Sequence, residues 1–202
     1  AIESFNKTIE LEPENDNHYY WLGNTYYKIC DYEEAIKYLS KAIEINQNSS
    51  INYKWLGMAY YTIEKYKEAS ENLLKSSLLL DSDFETWRFL GNSYLLLKDY
   101  YNAFHSFEKG IDFNKGIEIN SNNDYILKES GIDINDSSAI VVINDSSILN
   151  NYGVVLANLN RIEEAKKYFE KALDINPNNE IAKDNLNNLN SYLDIENLHM
   201  QK

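Results

Sequence analysis

The sequence is poor in cysteine, proline, glycine and basic residues. Its one cysteine, Cys30, cannot form an internal disulfide and has no second cysteine beside it to share a metal ion. We therefore expect a free thiol in a reducing compartment, and we assign the protein to the cytoplasm. Two prolines and seven glycines in 202 residues are few, which favours a chain made largely of helices.

Basic residues are outnumbered, with 19 Lys and Arg against 32 Asp and Glu and a net charge of −13. Binding to nucleic acid depends on clustered Lys and Arg side chains that neutralise phosphates, so we expect no nucleic-acid partner. The same charge opposes attraction to an anionic membrane surface. No apolar run approaches the roughly 20 residues of a membrane-spanning helix, and we expect no membrane partner.

The usual sequence signatures of catalysis and of metal or cofactor binding are also missing. The three histidines share no metal-ligand spacing, and there is no glycine-rich phosphate loop and no serine elbow. Residues 133–137 alternate like the start of a calcium loop, but Ser138 and Asn144 stand where the loop needs glycine and a bidentate glutamate. We predict no catalytic residue, no metal and no cofactor, and a protein that is not an enzyme.

What the sequence does contain is an internal repeat of 34 residues. Gly23, Gly57 and Gly91 are separated by this step, and Gly153 follows after one further step and 28 additional residues. Large apolar residues surround each glycine at the spacing of one helix face, and a second such set follows on a second helix. In the first repeat these residues are Tyr19, Leu22, Gly23, Tyr26, Ala35, Leu39 and Ala42.

The recurring glycine indicates a packing requirement, because a glycine inside a helix costs about 1 kcal/mol relative to alanine. We interpret it as the close approach of two helix backbones. The spacing and residue set resemble the tetratricopeptide repeat. The resemblance implies an all-α fold, a right-handed superhelix (α-solenoid) of tetratricopeptide-like helix-turn-helix repeats with a C-terminal capping helix.

The repeat divides the chain into consecutive segments. We assign residues 1–15 to the second helix of a truncated repeat, 16–117 to three tandem repeats (16–49, 50–83 and 84–117), 118–145 to an insert, 146–179 to a fourth repeat, and 180–202 to a capping helix and tail. Because the chain begins within a repeat, we interpret it as a fragment of a longer protein.

The insert contains an echo of the segment before it. KGIDFN at Lys109 returns as KGIEIN at Lys115, which predicts that the last helix of the third repeat continues for about 6 residues, nearly two turns. Beyond it we expect a short helix at 124–130 and an extended apolar piece at 139–143 that packs against the repeats. A disordered loop is the alternative.

The resemblance places the first helix of each repeat on a concave face. The residues of these helices that point away from the helix seam form the candidate peptide-binding groove: Asn17, Tyr20, Trp21, Asn24, Tyr27, Lys28, Lys54, Trp55, Met58, Tyr61, Arg88, Phe89 and Asn92. The same face includes Ile51, Glu85 and Leu95, and in the fourth repeat Asn150, Asn151, Val154 and Asn158.

Two features of this groove have two interpretations each. Trp21, Trp55 and Phe89 occupy one offset and either pack between adjacent first helices or form a platform for a ligand, since aromatic residues anchor interfaces. The cations at Lys54 and Arg88, together with Lys28, either pair with nearby acids such as Glu85 or recognise an acidic or carboxylate-bearing peptide.

The predicted function is a protein–protein interaction module or scaffold that binds a partner protein or peptide in the concave groove. One alternative is the substrate-recognition arm of a larger enzyme of glycosyltransferase or phosphatase type. Another is self-assembly through the open N-terminal end, where Ile2 and Phe5 would be exposed. The two-carboxylate clamp of chaperone-binding tetratricopeptide proteins matches at only two of its five positions, so we predict no chaperone ligand.

Overall fold

The computed structural model describes residues 2–80, 83–121 and 145–200, and every regular element in these ranges is an α-helix. The helices are α1 (Ile2–Leu11), α2 (Asp16–Lys28), α3 (Tyr32–Ile45), α4 (Ser50–Thr62), α5 (Tyr66–Leu79), α6 (Phe84–Leu96), α7 (Tyr100–Ser121), α8 (Ser146–Asn158), α9 (Ile162–Ile175) and α10 (Glu180–Met200). The short helix expected at 124–130 and the extended piece expected at 139–143 lie outside the described residues. The fold is an all-α solenoid of tetratricopeptide-type helix pairs.

Helix lengths repeat along the chain. The first helices α2, α4, α6 and α8 have 13 residues each, and the second helices α3, α5 and α9 have 14. Helix α7 is longer, with 22 residues ending at Ser121, so the extension predicted from the sequence echo is present. The helices group into two compact units, unit 1 (Ala1–Asp99) and unit 2 (Tyr100–Lys202).

The first helices lie on the inner side of each unit. In unit 1, α2 contacts α4 and α4 contacts α6, whereas the second helices α3 and α5 share no contact among the described residues. In unit 2, α8 contacts α10 in the same way. Each stack is therefore tighter on the side of its first helices, as expected for a concave face.

Each first helix ends in the same backbone turn. The residue after its last turn has a left-handed conformation, at Cys30, Glu64, Lys98 and Asn160, with φ between 60° and 64°. In the first repeat, Asp31 N donates to Tyr26 O at 3.0 Å, and Cys30 N donates to the carbonyl of the next residue, Tyr27, at 3.0 Å. These two bonds are the Schellman arrangement that closes a helix, and the second helix begins directly afterwards.

The recurring glycine sits where two helices of a repeat touch. A Cβ atom on Gly57 would lie 2.6 Å from Leu73 Cγ and 3.1 Å from Ala69 O. Leu73 and Ala69 are fully buried, so neither can move aside into solvent. Gly23 meets Leu39 in the same way. The packing requirement inferred from the sequence is therefore confirmed.

The two ends of the described chain differ. Helix α1 packs on α2, and its Ile2 and Phe5 are half-buried. Helix α10 buries Ala182 and Leu189 and directs Lys183 to an exposed ion pair with Glu180, which is what a capping helix requires. Among the described residues, no helix is both long and apolar enough to cross a membrane.

The seam can be tested at Gly57. Replacing a helical glycine by alanine normally stabilises a protein by about 1 kcal/mol, but here we expect Gly57→Ala to lower the free energy of unfolding by roughly 1–3 kcal/mol through overpacking. In a Leu73→Ala background, which removes the clashing Cγ, the same change should be neutral or stabilising. Urea denaturation of the four proteins gives the comparison. A stabilising Gly57→Ala in the wild-type background contradicts the account.

The turn predicts a stabilising substitution. Glu64 is exposed and carries the conformational cost of a positive φ, so Glu64→Gly should raise the free energy of unfolding by about 1 kcal/mol. Asn160→Gly is the matched control. Its gain should be smaller, because asparagine already tolerates this conformation. Equal gains at the two sites, or a loss at Glu64, in thermal unfolding would show that the turn carries no such cost.

Candidate functional site

Two members of the aromatic row pack between neighbouring first helices. Tyr27 meets Trp55 edge-on, with ring centroids 5.2 Å apart, and one repeat later Tyr61 meets Phe89 at 5.0 Å in the same geometry. Pairs of this kind contribute about 0.5–1.5 kcal/mol beyond their buried area. The packing interpretation therefore holds for Trp55 and Phe89, which are both half-buried.

Trp21 differs from the other two members of the row. It is 49% exposed, and the ring that it contacts, that of Tyr20, belongs to its own helix, at a centroid distance of 4.9 Å. Tyr20 is half-buried, and burial raises the pKa of its phenol. Trp21 is therefore the indole of this row that has surface available for a ligand, with a neutral phenol beside it.

Two predicted groove residues belong to the core. Asn24 and Met58 are each only 4% exposed. Met58 packs in a cluster with Leu73 and Leu90, because α4 and α6 contact each other and cover this position. Neither residue can contact a ligand on the open face, and we remove both from the candidate site.

Lys54 is held by two carboxylates. Its Nζ lies 2.6 Å from Asp83 Oδ2 and 2.8 Å from Glu85 Oε2, and its side chain is 12% exposed. Burial alone would lower the pKa of Lys54, but hydrogen bonds and attraction to the two acids outweigh it and raise the pKa. Lys54 thus ties α4 to the start of α6 and is not free to recognise a ligand carboxylate.

The ion pair also positions the α6 N-terminus. Asp83 Oδ1 accepts a hydrogen bond from Thr86 N at 2.9 Å, which caps the helix. Burial would raise the pKa of Asp83, but the bonds from Lys54 and Thr86 outweigh it, so that the pKa lies below its ordinary value. The sequence interpretation of ordinary ion pairing is therefore the correct one for Lys54.

The remaining cations are more available. Lys28 is exposed and forms no ion pair within the described part of the chain. Arg88 is half-buried, with its guanidinium over the Phe89 ring at 4.5 Å. Asn17, Trp21 and Lys28 are spaced at i, i+4 and i+11, which places them on one face of α2. We call these three residues the α2 strip.

Of the other predicted residues, Tyr27, Tyr61 and Asn92 are half-buried. Tyr27 and Tyr61 form the aromatic pairs described above, and the Tyr27 hydroxyl lies 3.4 Å from Thr62 Oγ1. Burial raises the pKa of Tyr61. These side chains shape the inner side of unit 1 without standing free on it.

Sequence reasoning missed an open cavity of about 430 Å³ in unit 2. It lies between α8 and α10, over α9, and its lining includes Val154, Ala157, Phe169, Asn185 and Leu189. The sequence contained a sign of this cavity, because the small residue Ala157 stands at the repeat position that Tyr27 and Tyr61 occupy in the earlier repeats. The described ranges contain no group of three or more His, Cys, Asp or Glu side chains that could hold a metal ion.

The Lys54 ion pair predicts a pH-dependent stability. Lys54→Met should lower the free energy of unfolding at neutral pH by about 1 kcal/mol, because it leaves Asp83 and Glu85 without their partner but both carboxylates are about half exposed to water. Since the pKa of Asp83 is lowered on folding, its contribution is present above the ordinary Asp pKa of about 4 and is lost as pH falls through the folded value. Urea denaturation at neutral pH and at a pH of about 3 should show the stability difference between wild type and Lys54→Met shrinking at the lower pH.

The matched control is Lys28→Met, which removes an exposed lysine of the same charge. We expect it to change stability little at either pH. Equal effects of the two substitutions would mean that the ion pair does not tie the repeats together.

Comparison with known proteins adds to this geometry. The family model described as anaphase-promoting complex, cyclosome, subunit 3 matches residues 1–76, and a tetratricopeptide repeat model matches residues 146–179. No curated protein matches the chain.

Among solved structures, MamA shares 22% identity over 86% of this chain and 85% of its own, with a TM-score of 0.66. YrrB, described as a TPR protein with an unusual peptide-binding site, shares 23% identity over 90% of this chain and 97% of its own, with a TM-score of 0.56. PilF of Pseudomonas aeruginosa shares 22% identity over 91% of this chain and 71% of its own, with a TM-score of 0.59. The repeated helix pairs, the repeat match over residues 146–179 and the shared fold together show that this chain contains tetratricopeptide repeats.

Proposed function

We propose that the chain is a protein-interaction module whose inner side in unit 1 binds an extended peptide or a helix of a partner protein. The observation that carries the proposal is Trp21, which leaves half of a large indole in water. Aromatic and arginine side chains are the usual anchors of protein interfaces. Trp21 lies on an inner first helix together with exposed Asn17 and Lys28, a mixed polar and aromatic surface suited to a peptide.

The structure limits how such a ligand could use its charge. Lys54 is committed to Asp83 and Glu85, so acidic residues of a ligand would have to meet Lys28 or Arg88. We therefore propose a ligand with an apolar side chain against Trp21 and a carboxylate near one of these two cations. Most of the binding affinity comes from the apolar contact with Trp21, because Lys28 is exposed and exposed ion pairs are weak.

The likeness to YrrB supports the proposal at the level of the fold, since that protein is described as having a peptide-binding site and spans 90% of this chain. Binding rather than catalysis is also the function that the unit 1 side chains favour. The aromatic, asparagine and lysine residues of the α2 strip and its neighbours offer contact surface, without the acid–base pairing that a catalytic site requires.

A random peptide library selected on the folded chain tests the proposal. We expect enriched peptides that carry an apolar residue and an acidic residue, with affinities measured by fluorescence anisotropy. Trp21→Ala should weaken them by about tenfold or more. Arg88→Gln or Lys28→Gln should weaken the acidic peptides more at low salt than at high salt.

The control variant is Leu78→Ala, which truncates a residue 74% exposed on the second helix α5. It should bind the selected peptides like the wild type. The proposal fails if no peptide family is enriched, or if the selected peptides bind Trp21→Ala as tightly as they bind the wild type.

A further inference from the structure

Unit 2 has an open cavity between α8 and α10, at the position where aromatic rings fill the space in unit 1. Between successive first helices of unit 1, a tyrosine of one helix packs on an aromatic ring of the next, as Tyr27 does on Trp55. The same two offsets between α8 and α10 hold Ala157 and Asn185. Both residues line the cavity of about 430 Å³. The cavity thus coincides with the replacement of two large rings by small side chains.

The cavity has an apolar floor. Phe169 is 2% exposed, and Leu189, at 8%, is also buried. Val154 is half-buried beside them. Phe169 and Leu189 therefore have almost no free surface. The apolar surface that a ligand could cover belongs to half-buried Val154 and Ala157 and to Tyr192, which is 46% exposed. Covering this surface would stabilise a complex by the hydrophobic effect.

The rim of the cavity is polar but uncharged. Among the described lining residues there is no Asp, Glu, Lys, Arg or His, although the chain as a whole carries a net charge of −13. Asn158 donates its side-chain amide to Val154 O at 2.8 Å, which leaves its side-chain oxygen as an acceptor. Asn188 is exposed, and its side chain makes no hydrogen bond within the described part of the chain. A charged ligand group would lose hydration here without gaining an opposite charge.

We infer that this cavity binds an aromatic side chain of a partner peptide, which occupies the space that the Tyr27–Trp55 and Tyr61–Phe89 pairs fill in unit 1. The ring packs on Val154, Ala157 and Tyr192, and the side-chain amides of Asn158 and Asn188 bind the peptide backbone. The inference rests on the proposed function in one respect, that the ligand is a peptide. Its location and chemistry are independent of Trp21.

The test uses the full chain labelled with 15N and two small probes. N-acetyl-phenylalaninamide carries the ring, and N-acetyl-alaninamide presents the same backbone without it. We expect saturable chemical-shift changes with the first probe, confined to amides of residues 154–162, 185–192 and those around Phe169, and no saturable change with the second. The ring-bearing probe should bind at least about tenfold more tightly.

A variant that places an aromatic ring of the chain itself in the cavity tests whether the cavity is the binding site. Ala157→Tyr restores the residue type of Tyr27 and Tyr61, so it should weaken N-acetyl-phenylalaninamide binding by about tenfold or more while the midpoint of thermal unfolding stays equal or rises. The matched control, Lys167→Tyr, adds the same side chain at an exposed position on α9 and should bind the probe like the wild type.

Three results would overturn the inference: equal responses to the two probes, shifts that spread beyond α8, α9 and α10, or unchanged probe binding in Ala157→Tyr. The wild-type shift map decides the matter even if the variant does not fold. Peptides that bind at Trp21 while the phenylalanine probe leaves unit 2 unshifted would overturn this inference and leave the proposed function standing. If the phenylalanine probe shifts unit 2 but no selected peptide depends on Trp21, this inference stands and the proposed function fails.

Discussion

The fold depends on the contact between a glycine of the first helix and a buried aliphatic or aromatic side chain of the second, which is present at Gly23, Gly57 and Gly153. At Gly57 there is no room for a single added carbon, because Leu73 and the Ala69 carbonyl already occupy the space. This contact sets the distance between the two helices of a repeat. Repeating it every 34 residues lets each helix pair present the same faces to its neighbours, and stacking then buries a continuous core within each unit.

Aromatic side chains act at the next level, between repeats. In unit 1 the tyrosine–tryptophan and tyrosine–phenylalanine pairs fill the space between first helices, and the bond of Lys54 to Asp83 and Glu85 joins the same helices at their edge. Residues committed to these contacts are not available to a ligand. The candidate site is what remains: Trp21, whose ring contact lies within its own helix, the rest of the α2 strip, and the guanidinium of Arg88.

Helix positions could be predicted from the sequence because the pattern of Gly23, Leu22 and Ala35 reflects contacts within a single repeat. The extension of α7 was predictable for a similar reason, since it follows from a local echo. Burial of Asn24 and Met58 was not predictable, because it depends on how closely neighbouring first helices approach. For Lys54 the sequence left two interpretations, and distances of 2.6 and 2.8 Å to its acids decided between them.

The cavity in unit 2 was missed for a different reason. The cavity arises from residues on two different helices, Ala157 and Asn185, that only packing brings together, and a comparison of equivalent repeat positions shows each of them separately.

The proposed binding of a partner by the inner first helices is tested most directly by hydrogen–deuterium exchange of the chain with a bound peptide. The account predicts slower exchange in α2 and at neighbouring first-helix residues, with α3 and α5 unchanged. Protection confined to the second helices would contradict it.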